Sequence, residues 1–100
     1  MSANPNDAVA EVNVRDPQGL HARPVMRFVD AASKFKSEVW VCNVSRRGER
    51  VDGKSAMQMM LLEATSGCVL RIEARGPDAG EAVAALGAMI DVDFRPPGAQ

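Results

Sequence analysis

Ala10-Glu11-Val12-Asn13-Val14-Arg15-Asp16-Pro17-Gln18-Gly19-Leu20-His21-Ala22-Arg23-Pro24-Val25 contains two periodicities and the break between them. From Ala10 the chain alternates, with Val12 and Val14 set against Glu11, Asn13 and Arg15. That pattern predicts a half-buried strand. Asp16-Pro17-Gln18-Gly19 is turn chemistry. Beyond it Val25, Phe28, Val29, Ala32 and Phe35 fall at helical spacing and form one apolar stripe, while Arg27, Asp30 and Lys34 take the other side. Proline is tolerated only in the first turn of a helix, so Pro24 puts the helix start near Ala22.

Working outward, residues 38–44 predict a second strand, with Val39 and Val41 toward the core and Glu38, Trp40 and Cys42 on the other face. Arg46-Arg47-Gly48-Glu49 reads as a charged hairpin turn before a short third strand that ends near Asp52. Ser55 opens a second helix. It stands three residues before Gln58 at capping-box spacing, Met59 and Leu62 form the inner edge, and Ser66-Gly67 is the stop. Cys68 to Ala74 alternates again, with Cys68, Leu70, Ile72 and Ala74 inward. Gly76-Pro77 is a turn. Asp78 then caps a third helix, with Glu81 three residues on and Ala82, Leu86, Met89 and Ile90 as its stripe. The order is β-α-β-β-α-β-α. It predicts a two-layer α+β domain whose helices cover one sheet face and whose other face meets water.

One hundred residues, 46% hydrophobic and 25% charged, make one domain and exclude most large catalytic architectures. Its core is expected over about residues 9–92, between flexible tails at 1–8 and 95–100. The formal charge of -1 argues against a nucleic-acid binder. The N-terminus lacks the basic and apolar regions of a signal peptide, and no apolar run nears the roughly 18 residues of a membrane span. A cytoplasmic protein without membrane insertion is expected. Cys42 and Cys68 have no metal-ligand spacing, and a chain with one histidine lacks the ligands for a structural zinc site. No cofactor is implied.

His21 follows the turn at the start of the first helix. The leading N–H groups of a helix have no internal partners and, with the helix dipole, form an anion site. An imidazole is nucleophilic near neutral pH, and Arg23 can offer a guanidinium to a phosphate or carboxylate. Nucleophile, anion hole and cation therefore fall within three residues. By position alone, a histidine here is more often a cap or a surface residue.

Gly19-Leu20-His21-Ala22-Arg23-Pro24 closely resembles the active-site motif of HPr, the histidine-containing phosphocarrier family of the phosphoenolpyruvate-dependent phosphotransferase system. Gly53-Lys54-Ser55-Ala56-Met57 resembles the regulatory-serine segment of the same family. The resemblance implies an open-faced sandwich with an antiparallel sheet in the order 1-4-2-3 under three helices. It implies that His21 takes a phosphoryl group on Nδ1 from phospho-enzyme I and passes it to an enzyme IIA or equivalent acceptor. Arg23 would neutralise that phosphate, and Ser55 would be the target of an HPr kinase/phosphorylase. Such a protein is a covalent carrier and not an enzyme, and a monomer is expected. The alternative is a regulatory HPr-like interaction protein, nitrogen-related or kinase-controlled, without a role in sugar transport. The hairpin at Arg46–Arg50 is longer than is common in the family, the tail extends past the usual end, and Ala56 is smaller than the usual side chain there. In this sheet order Cys42 and Cys68 lie on neighbouring strands but opposite faces, so no disulfide is expected.

Gly48-Glu49-Arg50-Val51-Asp52-Gly53-Lys54-Ser55 matches the P-loop pattern literally. Glu49 and Asp52 would set carboxylates beside a polyphosphate, and Glu49–Asp52 alternates like a strand, so nucleotide binding is rejected. Ser55 is a favoured helix cap, a role compatible with regulation. Met57 and Met60 fall opposite the Met59/Leu62 edge. With Ala56 they are candidates for an adaptable docking patch.

Overall fold

The computed structural model describes residues 7–91. The chain runs β1 (Asp7–Asn13), α1 (Ala22–Ser33), β2 (Glu38–Asn43), a 3-10 turn (Val44–Arg46), β3 (Val51–Asp52), α2 (Ala56–Met60), β4 (Val69–Arg75) and α3 (Ala79–Ile90). The sheet order is β1-β4-β2-β3, antiparallel throughout, so the fold is the α+β sandwich expected. Ala10, Ile72 and Val41 stand opposite one another and set one apolar row across β1, β4 and β2, with Val12 opposite Leu70 beside it. Val25 and Phe28 of α1, Met59 beside α1 on α2, and Ala82, Val83 and Leu86 of α3 cover that row. Fully burying a side chain such as Phe28 stabilises the fold by about 1.5–3 kcal/mol. Glu11, Trp40, Arg71 and Glu73 project from the sheet's other face, as the alternation predicts.

Several expectations need correction. β1 begins at Asp7, which pairs with Arg75, so Asp7 and Ala8 belong to the sheet and not to a tail. The expected tails at 1–6 and 95–100 lie outside the described residues. α2 stops at Met60, well before Ser66-Gly67. Leu61 N–H donates to Gln58 O and Leu62 N–H to Met59 O, bonds of the tighter 3-10 type, and Glu63 turns left-handed at φ 50. Leu62 thereby enters the core, and the carbonyl of Ala64 becomes available to Leu20 N–H.

Asp78 stands at the N-cap of α3 but its side chain does not cap. Its carboxylate instead accepts from Lys36 N–H, Ser37 N–H and the Ser37 hydroxyl, tying the α1–β2 connection to the start of α3. The Ser37 hydroxyl first, and the Lys36 N–H second, hold this carboxyl down from its ordinary 3.8 to about 2. Met89, expected in the α3 stripe, is 46% exposed, while Ala82, Leu86 and Ile90 are buried as expected and are joined by Ala79 and Val83. Cys42 shares the wet face with Trp40 and pairs opposite Arg71, whereas Cys68 is buried in the core, and both are free thiols.

Candidate functional site

The turn before α1 is pinned from both sides. Gly19 N–H donates to Asp16 O and Leu20 N–H to Ala64 O, each at 2.8 Å. Gly19 adopts φ +75, and a Cβ there would lie 2.7 Å from the Ala64 carbonyl oxygen, so both conformation and contact require glycine. This close approach fixes where His21 begins the helix.

His21 is the N-cap residue, with φ -93 and ψ -170. Its backbone carbonyl accepts the first helical bond, from Val25 N–H at 3.0 Å. Its imidazole makes no capping bond and is 42% exposed. Pro24 has no N–H, so the amides of Ala22 and Arg23 precede the first helical bond and offer donors at the positive end of the dipole. His21 Nε2 lies 3.8 Å from Asp16 Oδ2, while Asp16 Oδ1 accepts from Gln18 N–H at 2.9 Å. A carboxylate on the Nε2 side favours the tautomer with its proton there, which leaves a lone pair on Nδ1.

A depression of about 500 Å³ opens beside the imidazole. His21, Arg23, Arg27 and Asp16 form its polar wall, and Leu20, Pro24, Met89 and Ile90 its apolar one. Behind it, the buried Asp91 accepts from Asn13 N–H at 3.1 Å and from Arg15 Nε at 3.0 Å, which braces the end of α3 against β1. An imidazole, the leading amides of a helix and guanidinium groups in one depression suit the holding of a phosphoryl group.

Of the residues singled out from the sequence, His21 and Arg23 meet in this depression, and Ser55, Ala56, Met57 and Met60 do not line it. These four lie on or at the start of α2, which packs beside α1. Ser55 caps α2 by accepting from Gln58 N–H at 3.2 Å. The reciprocal half of the capping box is absent: the Gln58 side chain accepts from Asp52 N–H instead. Met57 is 82% and Met60 49% exposed, against 1% for Met59. Ala56 is half-buried against the core.

The P-loop-like run cannot wrap a polyphosphate. Gly53 N–H donates to Val39 O, Lys54 N–H to Asp52 Oδ1, and Lys54 Nζ to Phe35 O. Gly53 itself is packed so closely that a Cβ would lie 2.6 Å from Val39 Cγ1.

Sequence reasoning missed Asp16, Arg27 and Met89 as neighbours of His21. Arg27 was detectable, since it falls four residues after Arg23 on the same helical face. Asp16 gave only a turn signal, and Met89 was assigned inward.

Fold and depression together define a small domain that presents an uncapped histidine at the start of a helix, beside two guanidinium groups. The family model for the PTS HPr component phosphorylation site matches residues 8–91. The phosphocarrier protein HPr of Neisseria meningitidis is 42% identical over 83 residues, which is 83% of this chain and 90% of that protein. The multiphosphoryl transfer protein of Haemophilus influenzae is 39% identical over 82 residues, 82% of this chain but 16% of that longer protein. The crystal structure of HPr from Bacillus anthracis superposes with a TM-score of 0.79 at 33% identity, covering 85% of this chain and 98% of that one. The chain belongs to the HPr family, the phosphocarrier proteins of the phosphotransferase system, which carry a phosphoryl group and are not catalysts.

Proposed function

We propose that His21 is the carrier residue, taking a phosphoryl group on Nδ1 from phospho-enzyme I and passing it to an enzyme IIA or equivalent acceptor. Family membership implies enzyme I and enzyme IIA as partners. The observation that supports His21 most strongly is its uncapped imidazole at the start of α1, in one depression with Arg23. In the transfer, the Nδ1 lone pair attacks phosphorus in line with the departing bond. The electron pair of the breaking bond stays with the donor. The charged ring that results keeps its proton on Nε2, facing Asp16. Free amides at the helix start and the Arg23 guanidinium receive the phosphoryl oxygens.

Ser55 is the regulatory position in this reading, and Met57 and Met60 with Ala56 form the docking patch. A phosphate on Ser55 meets the N-terminal end of α2, so the fold tolerates it. The same group sets nearly two negative charges beside exposed methionines, and desolvating them against a partner is costly.

The test is incubation with phosphoenolpyruvate and a matching enzyme I. One acid-labile, base-stable phosphate per chain is expected, lost in His21→Ala with an unchanged melt. Label persisting in His21→Ala refutes the assignment. Ser55→Asp is expected to slow the labelling without lowering the melting midpoint. Equal rates in Ser55→Asp and in genuinely Ser55-phosphorylated protein would leave Ser55 as a helix cap alone.

A further inference from the structure

Among the described residues, Arg15, Arg46, Arg50, Arg71 and Arg75 each pair with a carboxylate. Arg23, Arg27 and Arg47 meet none. Arg47 sits in the left-handed turn of the β2–β3 hairpin, away from the depression. The two others are both on α1 and both line the depression beside His21. Uncompensated guanidinium groups are thus collected where a phosphoryl group would sit.

The geometry of a helix makes this directional. Side chains four residues apart share a face, and every Cα–Cβ bond tilts toward the helix N-terminus. A long side chain at Arg27 therefore reaches back over the turn that carries Arg23, toward the His21 end. Arg27 is exposed, and among the described residues it has no carboxylate partner to give up first.

We propose that Arg27 is a second phosphoryl-binding guanidinium, contacting the non-bridging oxygens of the group carried on His21. The proposal rests on the reading of His21 as the carrier. Arg23 and Arg27 then flank the dianion from successive turns, with the α1 amides beneath it. The step itself is unchanged: the donor–phosphorus bond breaks with its electron pair left on the donor, and the phosphorus–Nδ1 bond forms. Arg27 takes and gives no proton.

A contact to the carried group can be separated from a contact to a partner protein. An equilibrium between phospho-enzyme I and the phosphorylated chain depends only on the free, separated proteins. Docking residues alter the rate of approach to it and leave its position alone. Arg27→Gln should shift that equilibrium about three- to tenfold toward the donor, as loss of one exposed charge-assisted bond implies. It should also displace the phosphohistidine 31P resonance of the isolated protein, and Arg27→Lys should recover part of the equilibrium shift. An unchanged equilibrium and resonance in Arg27→Gln overturn the proposal, and a change confined to KM assigns Arg27 to docking instead. A wild-type chain that takes no label on His21 fails the carrier reading itself, and this proposal with it.

Discussion

The open face of the sheet and the start of α1 both carry charge, and they dispose of it in opposite ways. On the sheet, Arg71 donates to Glu11 at 3.0 Å and Arg75 to Asp7 at 2.9 Å, both across β1 and β4. Arg50 reaches Glu73 at 3.6 Å and lies 4.3 Å from the centre of the Trp40 ring. Arg71 and Arg75 find their partners in the neighbouring strand, and Arg50 reaches past β2 to Glu73 of β4. At the start of α1, Arg23 and Arg27 meet no carboxylate among the described residues, around an uncapped histidine. Charge consumed within the fold leaves a surface with little to offer an anion. Charge left open is available to a ligand, and the backbone amides of the helix start add to it.

The largest effect is expected from Arg23→Ala. A hydrogen bond to a charged group is worth about 1.5–3 kcal/mol, so phosphotransfer to His21 should slow by roughly ten- to a hundredfold. The melting midpoint should hold, because the side chain is exposed. Wild-type transfer in Arg23→Ala, measured with enzyme I in excess, would remove the distinction between the two regions.

A second test concerns a carboxylate that is fully engaged without any cation. Asp78 titrates at about 2, below its ordinary 3.8, because of the Ser37 hydroxyl and the Lys36 N–H. A depressed folded-state value means stability that is present above the unfolded value and lost as pH falls through the folded one. The melting midpoint should therefore drop between about pH 4 and pH 2, and Asp78→Asn should flatten that part of the profile while being less stable at pH 7. Transfer to His21 at pH 7 should be unchanged, since Asp78 lies at the α3 start and outside the depression. A variant with the wild-type acid profile would show that these bonds contribute nothing.

The smallest effect is expected on the sheet. The pair of Arg71 and Glu11 is exposed, and such pairs contribute little once screening and side-chain entropy are counted. Arg71→Ala should move the midpoint slightly and leave both rate and equilibrium of transfer alone. A slowed transfer there would mean that the paired face also meets a partner.

The local elements were legible because each rests on a local cause. Pro24 and the Val25, Phe28, Ala32 stripe located α1 at its observed first residue. Period-two alternation gave the inward rows of β2 and β4. The motif around His21 was also readable, since nucleophile, amides and Arg23 lie within a few residues. Where a long-range partner competed, the local reading failed. Asp78 looked like a cap, but the Ser37 hydroxyl and two amides from another segment claimed its carboxylate. Gln58 was spaced for a capping box, but Asp52 N–H took its side chain.

Three features were readable from the residues alone: the order of elements, the faces of the strands and the residue expected to carry the phosphoryl group. The first two follow from periodicity and turn chemistry, whereas the role expected of His21 comes from its resemblance to the family motif. What surrounds that residue depends on the assembled fold. Asp16 comes close to Nε2 because Gly19 is pinned against the Ala64 carbonyl. Met89 and Ile90 reach the depression because α3 packs on β1 and is braced there by Asp91. Which arginines stay unpaired depends on strand register, since residues as far apart as Glu11 and Arg71 become neighbours only across the finished sheet.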